Sequence, residues 1–211
     1  MLKSLKSRQI LKFFKMKIER KILTIILLSL IIFAGCKKDK KESSFNNYIN
    51  YDGTTYAIDK GYLENWGKWS PEGDNNLDLT LVSNGISAVE VSGLLDEFIG
   101  AGNGIIFYMY TTSTTRLDDG NYVYDEDATE EAGTFEWANV VINYNIEDEE
   151  GDVDQYIVDG TVTVTKTGDV YEISFNLTDE DGKTVTGYFK GTLKYYDQDK
   201  KKSTKTDKRR F

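Results

Sequence analysis

One cysteine, Cys36, and no histidine stand in the 211 residues, so the side chains able to do chemistry are quickly enumerated. Cys36 closes the run Phe33-Ala34-Gly35-Cys36 at the end of an apolar stretch over residues 22–33, behind a basic start that includes Arg20 and Lys21. A basic leader, an apolar centre and small residues before the cut form a secretory signal, with cleavage expected between Gly35 and Cys36. The thiolate is a side-chain nucleophile that readily takes a diacylglyceryl group as a thioether, and cleavage frees an amino group for a further acyl chain. Lipid then replaces the signal as anchor. A bilayer span needs about 20 apolar residues, and here Arg20-Lys21 and Lys37-Lys38 bound a much shorter stretch.

At these residues the chain resembles bacterial lipoproteins, whose cleavage motif is an aliphatic residue, a small residue, Gly or Ala, then Cys. Ala34, Gly35 and Cys36 match it, and Phe33 stands where leucine is usual. The resemblance implies lipid attachment at Cys36, palmitate-type acylation and a place in the cell envelope. Met16, followed by Lys17, Arg20 and Lys21, already makes a complete leader, so the true start is Met1 or Met16. Residues 36–45 are charged and then polar, too hydrophilic to fold alone, and read as a lipidated tether. A cysteine followed by a charged run is similar to lipoproteins of the Bacteroidota, which implies the outer membrane with exposure at the cell surface.

Without histidine, and with Cys36 acylated, histidine-based triads, thiol catalysis and the commonest zinc sites are excluded. Carboxylates are the remaining acids and bases. A paired-carboxylate glycosidase is the enzyme class they allow, but Asp125-Glu126-Asp127 and Glu147-Asp148-Glu149-Glu150 lie in turn-like loops, where exposure keeps carboxyls ordinary. No catalytic residue, cofactor or metal ligand is therefore nominated. Calcium is the metal to consider, at Asp179, Asp181, Glu147, Asp148, Asp152 and Asp154. Yet Asp179-Glu180-Asp181-Gly182 lacks the later bidentate glutamate of a calcium loop and reads as a hairpin turn. Gly100-Ala101-Gly102-Asn103-Gly104 precedes a strand, not a helix, so it reads as a loop or bulge and not as a phosphate cradle. Trp66, Trp69 and Trp137 are sugar-stacking platforms if exposed, and are expected mostly in the core.

Net charge is −9 over the whole chain, but the positive residues crowd the ends. Between residues 46 and 199 stand 7 lysines and arginines against 31 aspartates and glutamates, a net −24. So acidic a body repels nucleic acid, which is excluded as a partner. The basic residues 200–211 read as a disordered tail.

The elements that must position any site lie in residues 46–199, one domain's worth of chain. Thr161 to Thr165 alternates, as do Tyr171 to Leu177 and residues 184–195, with Val185, Gly187, Phe189, Gly191, Leu193 and Tyr195 on one face. Tight turns at Lys166-Thr167-Gly168-Asp169 and Asp179 to Lys183 join them. Strand, Asp-Gly turn and strand are expected from Tyr48 to Tyr56. Further strands are expected at Leu77 to Leu81, near residues 121–124, 134–137 and 140–146, and over 156–164. Ile105 to Tyr110 is apolar on both sides and must be covered on both faces or line a cavity. Residues 87–98 have room for a short helix. Gly187 and Gly191, facing inward, permit bending or close approach of an aromatic ring.

The fold class is all-β, an antiparallel meander closing into a barrel, or alternatively a two-sheet β-sandwich. The pattern resembles the calycin-like barrels found among Bacteroidota lipoproteins. The function expected is that of a noncatalytic ligand-binding or structural lipoprotein, its partner a small apolar molecule, a glycan or a protein. The alternative is a glycan-binding or carbohydrate-active surface lipoprotein.

Overall fold

The computed structural model describes residues 46–200; Gly35, Cys36, the tether up to residue 45 and the tail beyond Lys200 lie outside the described residues. Twelve strands and almost no helix make up this stretch: β1 (Tyr48–Tyr51), β2 (Thr54–Ala57), β3 (Lys60–Lys68), β4 (Asn75–Val82), β5 (Ile86–Val91), β6 (Leu94–Thr111), β7 (Gly120–Tyr124), β8 (Thr134–Asn145), β9 (Val153–Thr167), β10 (Val170–Asp179), β11 (Thr184–Gly191) and β12 (Leu193–Asp197). The all-β expectation holds, and the strands form one strongly curled, barrel-like sheet in the order β12-β3-β4-β6-β8-β7-β9-β10-β11-β1-β2.

The simple meander needs correction at two places. β8 and β9 pair directly only from Asn139 to Ile142, and β7 pairs with β9 farther along, antiparallel, lying parallel to β8 at Val123 and Tyr124. In the same way β1 and β2 pair beside β11, which continues through Thr192 into β12, and β12 then runs parallel to β3. Both wedges widen a sheet that simple hairpins would leave narrow, and the second brings the C-terminal strand back against an N-terminal one.

Inward positions supply the core. Leu77, Leu79 and Leu81 of β4, Ile105, Phe107 and Met109 of β6, Phe135 and Val140 of β8, and Ile173 and Phe175 of β10 are all buried. Phe107 meets Phe135 and Phe175 edge to face, each at 5.7 Å between ring centres, the preferred aromatic geometry. These rings fill the interior. Gly187 lies opposite Phe175, and a β-carbon there would fall 2.0 Å from its ring, so the missing side chain is what lets the ring lie across β11.

Residues 87–98 do not form a helix. Ser92 and Gly93 adopt left-handed backbone, φ 56° and 78°, and make a tight hairpin turn between β5 and β6. β6 is therefore 18 residues long and changes role midway: residues 94–100 pair with β5, and residues 101–111 enter the barrel between β4 and β8. The register shift at Gly102–Gly104 marks the change, as a bulge entering the strand would. The β5–β6 arm folds over the outer face and builds a second small core from Tyr62, Val82, Ile86, Leu95 and Tyr196.

Candidate functional site

The arm covers part of β3 and β4 from outside, so the outward side of β4 is no ordinary water-facing side. Asn76, Asp78 and Thr80 are all less than a tenth exposed. Glu64 of β3 lies opposite Asp78, Asp78 opposite Tyr108 of β6, and Tyr108 opposite Trp137 of β8. Cross-strand neighbours on one face are within side-chain reach, so the sheet lays carboxyls and aromatic rings in one row. The rings of Tyr108 and Trp137 are 4.6 Å apart and tilted by 40°; Trp137 and Tyr156 of β9 are 5.9 Å apart and tilted by 57°. Tyr156 ends this stepped ledge and is half exposed.

Two bulges bring further groups to the row. β3 slips register between Asn65 and Gly67, placing Trp66 beside Asp78, and β8 slips between Phe135 and Trp137, turning Glu136 toward Tyr110. Burial pushes the Asp78 carboxyl well above the usual carboxylate range; Glu64 and Glu136 add to the shift, and Asn76 and Trp66 oppose it. Burial, then a hydrogen bond to Glu136, raises Tyr110 far above an ordinary phenol. Tyr108 is raised by burial and by the charges of Asp78, Glu64 and Glu136. Glu64 accepts a hydrogen bond of 2.9 Å from Gln198, whose amide also donates to the Leu95 carbonyl of the arm at 2.8 Å. Asn76 lies near enough to Asp78 to stabilise its charge. Yet neither atom of the Asn76 amide, nor Asp78 Oδ1, nor Thr80 Oγ1, makes a well-formed hydrogen bond among the described residues.

Two other concavities differ in kind. A pocket of about 440 Å³ is lined by Arg116, Leu117, Asp118, Asp119, Lys166 and Gly168. Its polar groups are already bonded: Asp118 accepts from the Thr111 hydroxyl and from the Thr112 amide and hydroxyl, and Asp119 accepts from the Lys166 amide. An apolar groove between arm and sheet, lined by Val82, Ile86, Phe98, Ile106, Val141 and others, measures about 160 Å³, below the roughly 300–1,000 Å³ of ligand pockets.

The carboxylates weighed for calcium lie apart and bind protein groups. Asp179 is buried; its Oδ1 accepts from the amides of Asp181 and Lys183, and its Oδ2 from the Tyr51 hydroxyl at 2.7 Å. Glu147 accepts from the Gly100 amide, Asp148 from Asn145, Asp152 from Asn143 and Asp154 from Asn139. Among the described residues no three such side chains gather as a metal site. The expectation that the tryptophans sit mostly in the core is overturned. Trp66 and Trp137 are half-buried on the outer face, and Trp69 is 51% exposed in the loop after β3.

Glu64, Asp78 and Glu136 escape a reading that looks for acids in loops, because they stand inside strands. The available signal was Ile105 to Tyr110: a strand apolar on both sides implies that its neighbour β4 is also covered outside, which turns Asp78 from a water-facing acid into a buried one. Comparison with family models, with curated proteins and with solved structures found no match to the chain.

Proposed function

We propose that the chain is a lipoprotein, anchored in the outer membrane of the cell envelope through Cys36, whose β domain binds a glycan on its outer face without cleaving it. The observation that supports the binding reading is the stepped ledge of Tyr108, Trp137 and Tyr156 running onto the carboxyls of Asp78, Glu64 and Glu136. Aromatic faces take the C–H face of a sugar ring, and convergent polar groups read its hydroxyls. Within a barrel filled by Phe107, Phe135 and Phe175, the reading of an enclosed apolar ligand has less to rest on.

Binding is favoured over hydrolysis by where the acids stand. Glycosidase carboxyls flank the scissile bond from its two sides, whereas Glu64 and Asp78 are direct cross-strand neighbours on one face and meet a ligand from the same side. A glycan array probed with the purified chain tests the reading. Binding that falls by about tenfold or more in Trp137→Ala and Tyr156→Ala, with no shortened products, supports it. Retention unchanged in both variants sinks it, and release of shortened sugars replaces binding with hydrolysis. Cell fractionation of Cys36→Ala checks the anchor: the variant is expected to keep the size of the precursor and to lose acylation.

A further inference from the structure

We propose that the outer-face site selects sugars carrying a protonated amine, an inference that rests on the glycan-binding reading. The argument begins with β4. Asn76 is fully buried; its amide nitrogen lies toward the Asp78 carboxyl, while its amide oxygen, Asp78 Oδ1 and Thr80 Oγ1 have no well-formed hydrogen bond along one side of one strand. Native proteins leave only a few such atoms per hundred residues, because each is costly to bury unpaired. So many on alternate residues of a single strand, next to an aromatic ledge, mark a strip built to meet a polar ligand. Trp66 is half-buried and lies against Asp78; on this proposal the indole turns aside to admit the ligand.

The charge around the strip decides the ligand's sign. Glu64 comes from β3, Asp78 from β4 and Glu136 from β8, with the phenols of Tyr108 and Tyr110 from β6 between them. Among the described residues no lysine or arginine pairs with Asp78 or Glu136. An ammonium brings three donors and no acceptor, where a hydroxyl brings one donor, and the open oxygens of Asp78 and Asn76 are acceptors. The faces of Tyr108 and Trp137 also attract a cation through their π-systems. An ammonium stabilises the ionised form of Asp78, so its binding tightens as pH rises through the acid range, for as long as the sugar's own amine stays protonated. A neutral sugar prefers the protonated acid as a donor and shows the opposite slope.

The test compares three probes on the purified full chain by calorimetry: a trimer of β-1,4-linked glucosamine, its N-acetylated counterpart, and cellotriose. Half-molar salt suppresses attraction to the acidic surface at large. The glucosamine trimer is expected to bind at least about tenfold more tightly than either other sugar, with a preference that grows as pH rises through the acid range, while the sugar's amines stay protonated, and disappears in Asp78→Asn. The pH series on the unaltered chain keeps the test open should the variant fail to fold. Equal binding of the three sugars, or a preference that survives Asp78→Asn, overturns the ammonium inference and leaves glycan binding standing. Failure of all three to bind, together with an array that shows no dependence on Trp137 or Tyr156, overturns both.

Discussion

Exchanging Asp78 for asparagine keeps the shape of the protonated acid and removes its charge. With the carboxyl raised by burial and by Glu64 and Glu136, the folded state binds more protons than the unfolded one. Stability therefore falls as pH climbs from the ordinary aspartate range through the raised value. Thermal melts of Asp78→Asn are expected to match the unaltered chain at acid pH and to exceed it increasingly toward alkaline pH; a gain that shrinks with rising pH contradicts the burial argument. Gly187→Ala makes the opposite kind of change. Its new methyl falls 2.0 Å from the Phe175 ring, and overpacking of this sort costs about 1–3 kcal/mol, readable as a lowered denaturant midpoint at unchanged slope. Gly187 was legible in the sequence because a glycine on the inward side of an alternating strand has few other uses. Asp78 was not, since Leu77-Asp78-Leu79-Thr80-Leu81 alternates as a half-exposed strand does, and only groups from β3, β6 and β8, Trp66 and Tyr108 among them, close over its polar side.

The β5–β6 arm is where element-level reading went astray. Residues 87–98 are short, apolar and only weakly alternating, and such runs fit helix or strand equally by periodicity; the deciding contact is the outer face of β3 and β4, far off in sequence. The long strands β9, β10 and β11 were legible because their alternation and turn residues agree locally. The arm's two sides predict different costs. Leu95 is 4% exposed within the second core, whereas Val91 at the tip is 53% exposed. Leu95→Ala is expected to cost about 2–4 kcal/mol and Val91→Ala less than about 0.5 kcal/mol by chemical denaturation. Because β5 pairs only with β6, its outward amides are also expected to exchange hydrogen sooner than those of β10, which is paired on both sides. Equal protection would mean that the arm opens only with the barrel.

Over the whole domain the dominant long-range force is self-repulsion, because residues 46–199 carry a net −24. Attractive pairs do little to offset it. Lys190–Glu172, Lys183–Asp181 and Lys200–Asp197 are exposed on at least one side, and such solvent-screened surface pairs contribute little to stability. Asp118 is one carboxylate held below its usual range: burial works against the charge, but hydrogen bonds from Thr112 and Thr111 and the nearby Arg116 outweigh it. That contribution is present above the ordinary aspartate range and is lost as pH falls through the lowered value. Salt acts on the two kinds of term in opposite directions, screening the many repulsions and weakening the few attractions. With 31 acids against 7 bases the repulsions are far more numerous, so sodium chloride is expected to stabilise the fold. Raising it from low concentration to half-molar should gain about 1 kcal/mol, which for a domain of this size moves Tm upward by about 2–4 °C. A domain held together by its ion pairs would melt earlier as salt rises, and that result in a thermal melt series would overturn the view that acidity here is tolerated for what it attracts and not for what it stabilises.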